Sequence, residues 1–326
     1  MRIIDLAGYD AYFNQAAEEY VFRSLDPEQD TLILWQNQNA IVVGKHQNTI
    51  QEINSHFVRE MGIQVVRRLS GGGAVYHDLG NLNFSFVVSA PGNQMNVRQL
   101  SEPIAKTLVR LGVAVQISPR NDLSVEGKKI SGNAQYLSRE RLLHHGTLLF
   151  SSNLEILSRA LALTGDKIES RATKSVRSQV TNIRDYIPNF SIAQLKREII
   201  ETFKIDREVN PFEFTGEDIA SISVLRDQKY STWDWNYGSS PEFEMRKERR
   251  FSGGNVSITM KIYRGEIQAI HIEGDFQGEE NITGLEQRLI SEKLREDSIY
   301  ACLSSLDLGQ YLPGMTVAEL VDFLVY

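Results

Sequence analysis

The chain has 326 residues, 41% hydrophobic and 24% charged, so it can bury an ordinary core and its composition argues against disorder. Its length suits two domains rather than one. A formal net charge of −7 argues against a dedicated nucleic-acid binder, which neutralises phosphates with Lys and Arg. The single cysteine, Cys302, excludes an internal disulfide, indicates a reducing compartment and is expected to be a buried apolar residue.

The amino terminus and the apolar runs predict the protein's location. Asp5 interrupts the first apolar residues, so they do not form a secretory signal. No apolar run approaches the roughly 18 residues expected of a membrane span. We therefore expect a soluble, cytoplasmic protein with neither a membrane nor a nucleic-acid partner.

Hydrophobic periodicity predicts helices and strands in the first 150 residues. Asn14 is expected to cap a helix whose apolar residues share one face, and a helix over 100–111 is expected to end at Gly112. Strands are predicted over 31–35, 40–44, 63–66, 82–88, 127–135 and 142–150. Strands joined by short turns, with few helices and no βαβ alternation, predict an α+β fold with a largely antiparallel sheet.

The composition changes near Pro241, and the charged segment Glu242–Arg250 is interpreted as a linker between domains 1–243 and 244–326. Beyond it, Arg264-Gly265 is a hairpin signal. The elements expected there are strands over 256–263 and 267–272 and helices over 285–294 and 317–324. They would make a small α+β domain of about 80 residues, large enough to fold as a unit and without an obvious catalytic motif.

The most informative motif is the run Arg67-Arg68-Leu69-Ser70-Gly71-Gly72-Gly73. Successive glycines let a ligand approach the backbone, and their N–H groups can form a concave nest for anionic oxygens. Arginine adds planar donors suited to phosphate and carboxylate. A flexible hairpin tip with solvated arginines is the alternative. Apolar strands on both sides favour a site for a phosphate-bearing ligand such as a nucleotide.

A second motif contains Asn121-Asp122-Leu123 and the stretch Gly127–Gln135. In an extended strand, Lys129 would lie in a polar row with Ser131, Asn133 and Gln135, where its ammonium could hold a carboxylate or phosphate. A solvent-facing strand edge explains the same pattern equally well. Asp122 could orient the lysine, help hold a phosphate-bound metal, or be a turn residue.

Two further motifs are His144-His145-Gly146-Thr147 and Lys174-Ser175-Val176-Arg177. Adjacent strand histidines point to opposite faces, and no carboxylate or cysteine has ligand spacing, so no protein-held metal site is predicted. Both histidines are expected to bond backbone groups. The basic segment could be a loop that closes over a phosphate, or a solvated face.

These motifs, in this order, resemble the lipoate–protein ligase A family. The segments Phe13–Glu19 and Ser231–Gly238 belong to the same resemblance, which therefore covers nearly the whole chain. It implies a large domain related to biotin protein ligases and class II aminoacyl-tRNA synthetase cores. It also implies the small C-terminal domain of the longer family members.

The resemblance implies a two-step reaction that uses ATP and Mg²⁺. Lipoate attacks the α-phosphate of ATP to give lipoyl-AMP and pyrophosphate, and the ε-amine of an acceptor lysine then displaces AMP. Acceptors in the family are the lipoyl domains of 2-oxoacid dehydrogenase E2 subunits and the glycine-cleavage H protein. The acyl substrate is expected to be lipoate or octanoate.

The resemblance also assigns residues to this reaction. Lys129 matches the catalytic lysine that contacts the lipoyl carboxyl group and the α-phosphate, where its charge would offset repulsion between two anions. The residues expected to hold the nucleotide are Arg68 and the backbone of Gly73, Ala74, Val75 and Tyr76. Those expected to line the lipoyl tunnel are Trp35, Ser70 and His77. Asp122, Lys174 and Arg177 complete the expected site, the last two in a loop that closes over the adenylate.

Three alternatives belong to other classes. An octanoyl or lipoyl transferase of this type uses a cysteine nucleophile, but Cys302 lies outside every motif. A biotin ligase would carry a glycine-arginine-glycine-arginine loop, which is absent from the sequence. A non-catalytic lipoyl-adenylate binding module would have no need of Lys129.

Overall fold

The computed structural model describes residues 1–91, 98–118, 121–162, 167–170, 172–173 and 179–326, with only the backbone described for 167–170. These residues group into two compact units. The first contains residues 1–45, 61–161 and 179–232. The second contains residues 46–60, the described part of 162–173, and 233–326.

Runs of consecutive strands are separated by single helices or helix pairs along most of the chain. The described strands are β1 (Arg2–Asp5), β2 (Thr31–Trp35), β3 (Ala40–Val43), β4 (Gln64–Arg67), β5 (Val75–His77), β6 (Asn81–Ser89), β7 (Gln116–Ile117), β8 (Leu123–Val125), β9 (Lys128–Ser131), β10 (Asn133–Ser138), β11 (Arg141–Leu149), β12 (Lys167–Ser170), β13 (Asn210–Pro211), β14 (Phe243–Phe251), β15 (Gly254–Tyr263) and β16 (Glu266–Gly274). The described α-helices are α1 (Ala11–Ser24), α2 (Thr49–Glu52), α3 (Ser55–Glu60), α4 (Arg98–Arg110), α5 (Leu154–Ala160), α6 (Ile192–Asp206), α7 (Gly216–Leu225), α8 (Ile282–Leu289), α9 (Glu296–Leu303) and α10 (Val317–Val325).

The first unit is built on a six-stranded sheet with the order β10-β11-β6-β2-β1-β13. Strand β1 pairs in parallel with β2 and β13, and the other pairs are antiparallel. Two three-stranded sheets, β4-β3-β5 and β7-β8-β9, belong to the same unit. The predicted α+β class with a largely antiparallel sheet is therefore confirmed.

Both faces of the central strand β6 are buried, and they differ in chemistry. Its even-numbered residues, among them Phe84 and Phe86, join the apolar core. Its odd-numbered residues Asn81, Asn83 and Ser85 are polar and have at most 1% of their surface exposed. Because side chains alternate along a strand, the sheet has one apolar face and one face that carries a buried polar patch.

Two local predictions in this unit are wrong. Helix α1 begins at Ala11 with Asp10 as its cap, whereas Asn14 is buried and its amide donates to backbone carbonyls of Gly8 and Gln36. The single strand predicted over 127–135 is divided at Gly132 into β9 and β10, which belong to different sheets. The expected polar row around Lys129 therefore does not exist, because the alternation restarts after the glycine.

The second unit contains the antiparallel sheet β12-β14-β15-β16. As predicted, its hairpin turns at Arg264 and Gly265. Both residues have positive φ. The segment 242–250 is not a linker, since nearly all of it forms β14. Phe243 and Met245 point into the unit's core, while the alternating charged residues Glu244, Arg246 and Glu248 are exposed. The high charge density concealed this period-two pattern.

Cys302 is partly buried in the second unit and packs against its apolar core. Its thiol donates to the carbonyl of Arg288, and burial raises the pKa of the thiol. A thiol with a raised pKa is a poor nucleophile, because the thiolate is the reactive form. Among the helices of the described residues, none combines the length and the apolar character needed to cross a bilayer.

Candidate active site

The triple-glycine motif forms the connection between β4 and β5. Both arginines that precede it are buried. The guanidinium of Arg67 donates to the carbonyls of Gly44 and Lys45, and Lys45 N–H donates to the Ser70 carbonyl. The loop is therefore fixed to the end of β3, which excludes a hairpin tip with solvated arginines.

Arg68 organises the glycine loop from the inside. Its Nη2 donates to the carbonyls of Gly71 and Gly73 at 2.6 and 2.8 Å, and its Nη1 donates to the Val42 carbonyl at 3.0 Å. Its Nε donates to Ser70 Oγ at 3.0 Å. Burial lowers the pKa of the guanidinium to about 10, so it is still charged at neutral pH.

The carbonyl contacts determine where the loop's N–H groups point. In a planar trans peptide, C=O and N–H point in opposite directions, so the Gly72 N–H faces away from Arg68. The N–H groups of Gly71, Gly72 and Gly73 donate to no group among the described residues. Outward N–H groups with a positive charge behind them form an anion-binding concavity.

Glycine is required at Gly72 in this loop and at Gly44, which follows β3 and lies against the loop. Gly72 has φ +89°, a conformation that L side chains rarely adopt. A Cβ on Gly44 would lie 2.1 Å from the Gly72 carbonyl oxygen. A Cβ on Gly72 would lie 3.7 Å from the Cβ of Ala134, at the start of β10. The loop therefore lies beside the chain that leads back to Lys129.

Lys129 and Asp122 form an ion pair. The distance from Lys129 Nζ to Asp122 Oδ2 is 3.0 Å, and both side chains are partly exposed, at 30% and 27%. Gly132 provides the space for this pair, since a Cβ there would lie 2.9 Å from Lys129 Cε. The glycine that follows β9 therefore allows the ammonium to lie against the backbone between β9 and β10.

The backbone of Lys129 is held from the other side. Its N–H donates to the Gln179 carbonyl at 2.8 Å, and its carbonyl accepts from the Thr181 N–H at 3.1 Å. The residues predicted to form a closing loop, Lys174 and Arg177, lie outside the described residues. The described chain that follows them therefore pairs with the candidate catalytic lysine.

Trp35 lies on the polar face of the sheet. Its indole N–H donates to Ser85 Oγ at 2.9 Å, and Ser85 donates to Glu18 Oε1 at 2.5 Å. The ring of His77 lies edge-on to the indole, with 5.9 Å between ring centroids. Trp35 and His77, both predicted to line a tunnel, are thus neighbours around this buried polar patch.

The two adjacent histidines do point to opposite faces, but both bond side chains rather than the predicted backbone groups. His145 Nδ1 donates to Glu18 Oε1 at 2.8 Å, and its Nε2 lies 2.6 Å from Ser70 Oγ. His144 lies among the apolar core residues with Gln135 and Ser101 as partners. Burial lowers the pKa of His144 to about 3, so its ring is neutral at physiological pH.

His77 is also a neutral ring. Burial is the main reason that its pKa falls to about 3, and the charge of Arg68 adds to the effect. The amide of Asn37 donates to its Nδ1 at 3.1 Å, so the ring proton lies on Nε2. That buried N–H donor has no partner among the described residues.

Several other buried polar atoms on this face also lack a partner among the described residues. They are Gln15 Oε1, Glu18 Oε2, Asn81 Oδ1 and Asn83 Nδ2. A buried polar group without a hydrogen bond costs roughly 1–3 kcal/mol. Such groups are normally satisfied by ordered water or by a bound ligand. Their concentration around Trp35 marks this face as the wall of a binding site.

The predicted site residues fall into two neighbouring groups. The glycine loop lies against Ala134 and the Lys129–Asp122 pair lies beside Gly132 on the same segment, while Ser70, Trp35 and His77 lie on or beside the polar sheet face. Tyr76 is buried and its hydroxyl donates to Asn39, and burial raises the pKa of that hydroxyl to about 12. Its side chain is thus structural, which leaves the predicted backbone role untouched.

Sequence reasoning did not identify Glu18, Ser85 or Asn83. The available signal was polar residues within strongly apolar elements, since Asn83 and Ser85 alternate with Leu82, Phe84 and Phe86 in β6. Within the described ranges, no group of three or more His, Cys, Asp or Glu side chains is arranged to hold a metal ion.

Comparison with known sequences covers almost the whole chain. The sequence profile of the Lipoyl protein ligase A/B catalytic domain matches residues 10–204, and that of the Bacterial lipoate protein ligase C-terminus matches residues 240–324. Lipoate-protein ligase LplJ of Bacillus subtilis is 40% identical over 321 residues, 97% of either chain. Lipoate–protein ligase 1 of Staphylococcus aureus is 40% identical over 317 residues, 97% of either chain.

Solved structures agree with the sequence comparison. A lipoate-protein ligase A bound with ATP superposes with a TM-score of 0.63 at 27% identity, covering 73% of this chain and 98% of that chain. A T. acidophilum protein with bound lipoic acid gives 0.61 at 26%, covering 72% and 98%. A bi-partite lipoate protein ligase from Thermoplasma acidophilum, described with its E2 lipoyl domain, gives 0.60 at 26%, covering 73% and 96%.

The predicted family is therefore confirmed by both profile matches, one over residues 10–204 and one over residues 240–324. Because a family profile matches more than half of the chain, and relatives 40% identical cover nearly all of it, this chain belongs to the lipoate–protein ligase family.

Proposed function

We propose that the protein activates lipoate with ATP to form lipoyl-AMP and pyrophosphate, then transfers the lipoyl group to a lysine of an acceptor protein. The observation that carries the proposal is the placement of both donor groups on one short segment: Gly72 of the glycine loop lies against Ala134, and the Lys129 ammonium lies against Gly132, two residues earlier in the chain. These donors suit two anions that must approach each other. Solved relatives described with ATP and with lipoic acid support it.

In the first step, Lys129 serves as the electrostatic catalyst. A carboxylate attacking the α-phosphorus of ATP brings two negative groups together, and the ammonium offsets their repulsion and the charge that develops at phosphorus. Asp122 orients the ammonium before substrates bind. The loop N–H groups of residues 71–73, with Arg68 behind them, hold the phosphates.

The acyl chain is assigned to the polar sheet face around Trp35. The indole supplies a large apolar wall for an acyl chain or ring. The buried donors His77 Nε2 and Asn83 Nδ2 lie on this face and lack protein partners among the described residues. Octanoate, which shares the carboxylate and the eight-carbon chain, is proposed as a second acyl substrate.

Mg²⁺ is proposed to accompany ATP. No cage of three acidic, histidine or cysteine side chains exists among the described residues, which suits an ion carried mainly by the phosphates and their waters. When bound, the ion would neutralise the pyrophosphate leaving group. Asp122 is the carboxylate beside Lys129 that could reach it.

In the second step, positioning is the main contribution of the protein. The adenylate is already activated, so an acceptor amine that has lost its proton and is held against the acyl carbonyl carbon forms the amide C–N bond while the C–O bond to AMP breaks, without a covalent enzyme intermediate. A solved relative is described with an E2 lipoyl domain, which supports E2 lipoyl domains as acceptors. We propose the glycine-cleavage H protein as a second acceptor class.

We propose that residues 1–243 carry the chemistry and that residues 244–326 have an accessory role. Every candidate site residue that the structure describes belongs to the first compact unit. Cys302 belongs to the second unit, where its raised pKa argues against a cysteine-dependent acyl transferase.

The experiment that tests the function separates the two steps. The full chain is incubated with lipoate, ATP and Mg²⁺, and pyrophosphate release is followed. Purified apo lipoyl domain and apo H protein are then added separately, and their masses are measured. We expect pyrophosphate release and a lipoyl mass increase on a single acceptor lysine. Absence of pyrophosphate release with every acyl acid tested would contradict the proposal.

A further inference from the structure

We propose that Glu18, His145 and Ser70 form a brace that fixes Arg68, and that they are therefore positioning residues for the nucleotide-binding loop. The inference rests on the proposed function only in naming the nucleotide as the ligand of this loop. None of the three residues needs to touch ATP for the brace to act. Glu18 lies on α1, His145 on β11 and Ser70 in the loop itself.

The brace is a chain of three hydrogen bonds, and each of them can be given one donor and one acceptor. Arg68 Nε–H donates to Ser70 Oγ at 3.0 Å, so the hydroxyl proton is directed to His145 Nε2 at 2.6 Å. The imidazole Nδ1–H then donates to Glu18 Oε1 at 2.8 Å. With the imidazole proton on Nδ1 and the Ser70 hydroxyl directed to Nε2, each of the three contacts has one donor and one acceptor.

The chain connects two buried, opposite charges. Glu18 and Arg68 are 1% and 6% exposed, and the Glu18 carboxylate counters the effect of burial on the Arg68 guanidinium. Removing the intermediate hydroxyl would leave a buried donor and a buried acceptor without partners. Such buried charges are stabilised only when hydrogen bonds connect them well.

The functional consequence follows from what Arg68 holds. Its Nη2 holds the carbonyls of Gly71 and Gly73, and the contact to Gly71 sets the outward direction of the Gly72 N–H in the same peptide plane. Rotation of the guanidinium would release both carbonyls together. A glycine-rich loop adopts many other conformations, so the nest would lose its preorganised geometry and its affinity for phosphate.

The test measures ATP affinity by calorimetry on the full chain with Mg²⁺ and without lipoate. We expect Ser70→Ala to weaken ATP binding by about tenfold or more, the loss of a buried, charge-linked hydrogen bond. Ser70→Thr, which keeps the hydroxyl, should bind ATP within about twofold of wild type. Wild-type affinity in Ser70→Ala would overturn the proposal.

Two histidine variants distinguish a positioning role of the brace from a general loss of protein stability. His144→Gln and His145→Gln both change a buried histidine of β11, but His144 faces the apolar core and does not contact the loop. We expect only His145→Gln to lose ATP affinity, even where the two variants have the same thermal midpoint. Equal losses in both variants would make the effect one of stability and refute the brace.

Wild-type controls distinguish this inference from the proposed function. Wild type that binds ATP but releases no pyrophosphate with lipoate would contradict the ligase function and leave the brace to be judged by the variants. Wild type that does not bind ATP would contradict both.

Discussion

The Asp122 carboxylate lies 3.0 Å from the Lys129 ammonium, in the space that Gly132 provides by having no side chain. Both partners are partly exposed, so the pair holds the ammonium in place without burying it. Exposed pairs contribute about 1 kcal/mol or less to stability. We therefore expect this pair to matter for orientation rather than for folding.

Replacing Asp122 with Asn tests that orientation. We expect lipoyl-AMP formation to slow by about tenfold, because a misplaced charge stabilises the transition state less well. Glu126→Gln, which changes a carboxylate in the turn between β8 and β9, is the matched control and should leave the rate of lipoyl-AMP formation nearly unchanged. The measurement is pyrophosphate release over a range of Mg²⁺ concentrations. Full recovery of Asp122→Asn at high Mg²⁺ would make Asp122 a metal ligand instead.

Lys129→Ala should fold and form no detectable lipoyl-AMP. Loss of a charge that acts on the transition state is expected to slow the reaction by roughly a thousandfold. Lys128→Ala is the control, because its side chain is exposed at the start of the same strand. Adenylate formation is read by mass spectrometry, and thermal unfolding checks the fold. Normal adenylate yield in Lys129→Ala would overturn its catalytic assignment.

Gly132→Ala should impair the first step while leaving the protein folded. The new Cβ would lie 2.9 and 3.0 Å from Lys129 Cε and Nζ, so the flexible end of the lysine must move. Gly8→Ala is the control, because nothing lies within 4 Å of a Cβ there. We expect at least a tenfold loss of pyrophosphate release in Gly132→Ala and almost none in Gly8→Ala. Equal rates would show that the position of the ammonium is unimportant.

Arg68→Lys should weaken ATP binding although the charge is retained. A lysine ammonium is a point charge and cannot reproduce the four contacts that the planar guanidinium makes. We expect about a tenfold or greater increase in the ATP dissociation constant, measured by calorimetry. An unchanged ATP dissociation constant would show that the loop keeps its conformation without the Arg68 guanidinium.

The neutral, buried His144 makes stability depend on pH. Its pKa is about 3 in the folded protein and about 6.5 when unfolded, so between these values only the unfolded state takes up the proton. The free energy of unfolding therefore falls as pH decreases through this window. For this residue the loss between pH 7 and pH 5 is about 2 kcal/mol. His144→Gln should remove that part of the pH dependence in urea titrations, and identical slopes would refute the prediction.

The fold was predictable wherever one pattern dominated a segment. Strand β2 matches the predicted residues 31–35, and Gly112, with φ +91°, ends the region of α4 as expected. Segment 242–250 was misread because charged residues on one face of β14 concealed its buried partners Phe243 and Met245. Charge density alone does not distinguish a linker from a half-exposed strand.

The site was predictable as a set of motifs but not as a set of contacts. The sequence indicates that Arg68 and Ser70 belong to an anion site, yet it cannot show that Arg68 faces the loop's own carbonyls. Glu18 and His145 are 127 positions apart, and their 2.8 Å contact exists only because α1 packs on the sheet that contains β11. A contact that depends on tertiary packing in this way leaves no recognisable pattern in the neighbouring sequence.

The two chemistries of strand β6 also bear on how such an enzyme diversifies. Its even-numbered side chains join the apolar core, whereas Asn81, Asn83 and Ser85 lie on the polar face to which we assign the acyl chain. Because neighbouring positions on one strand serve separate purposes, mutations on the polar side can retune which fatty acid is accepted while the hydrophobic interior stays intact. The alternation of a single strand thus separates the positions assigned to acyl recognition from those that form the apolar core.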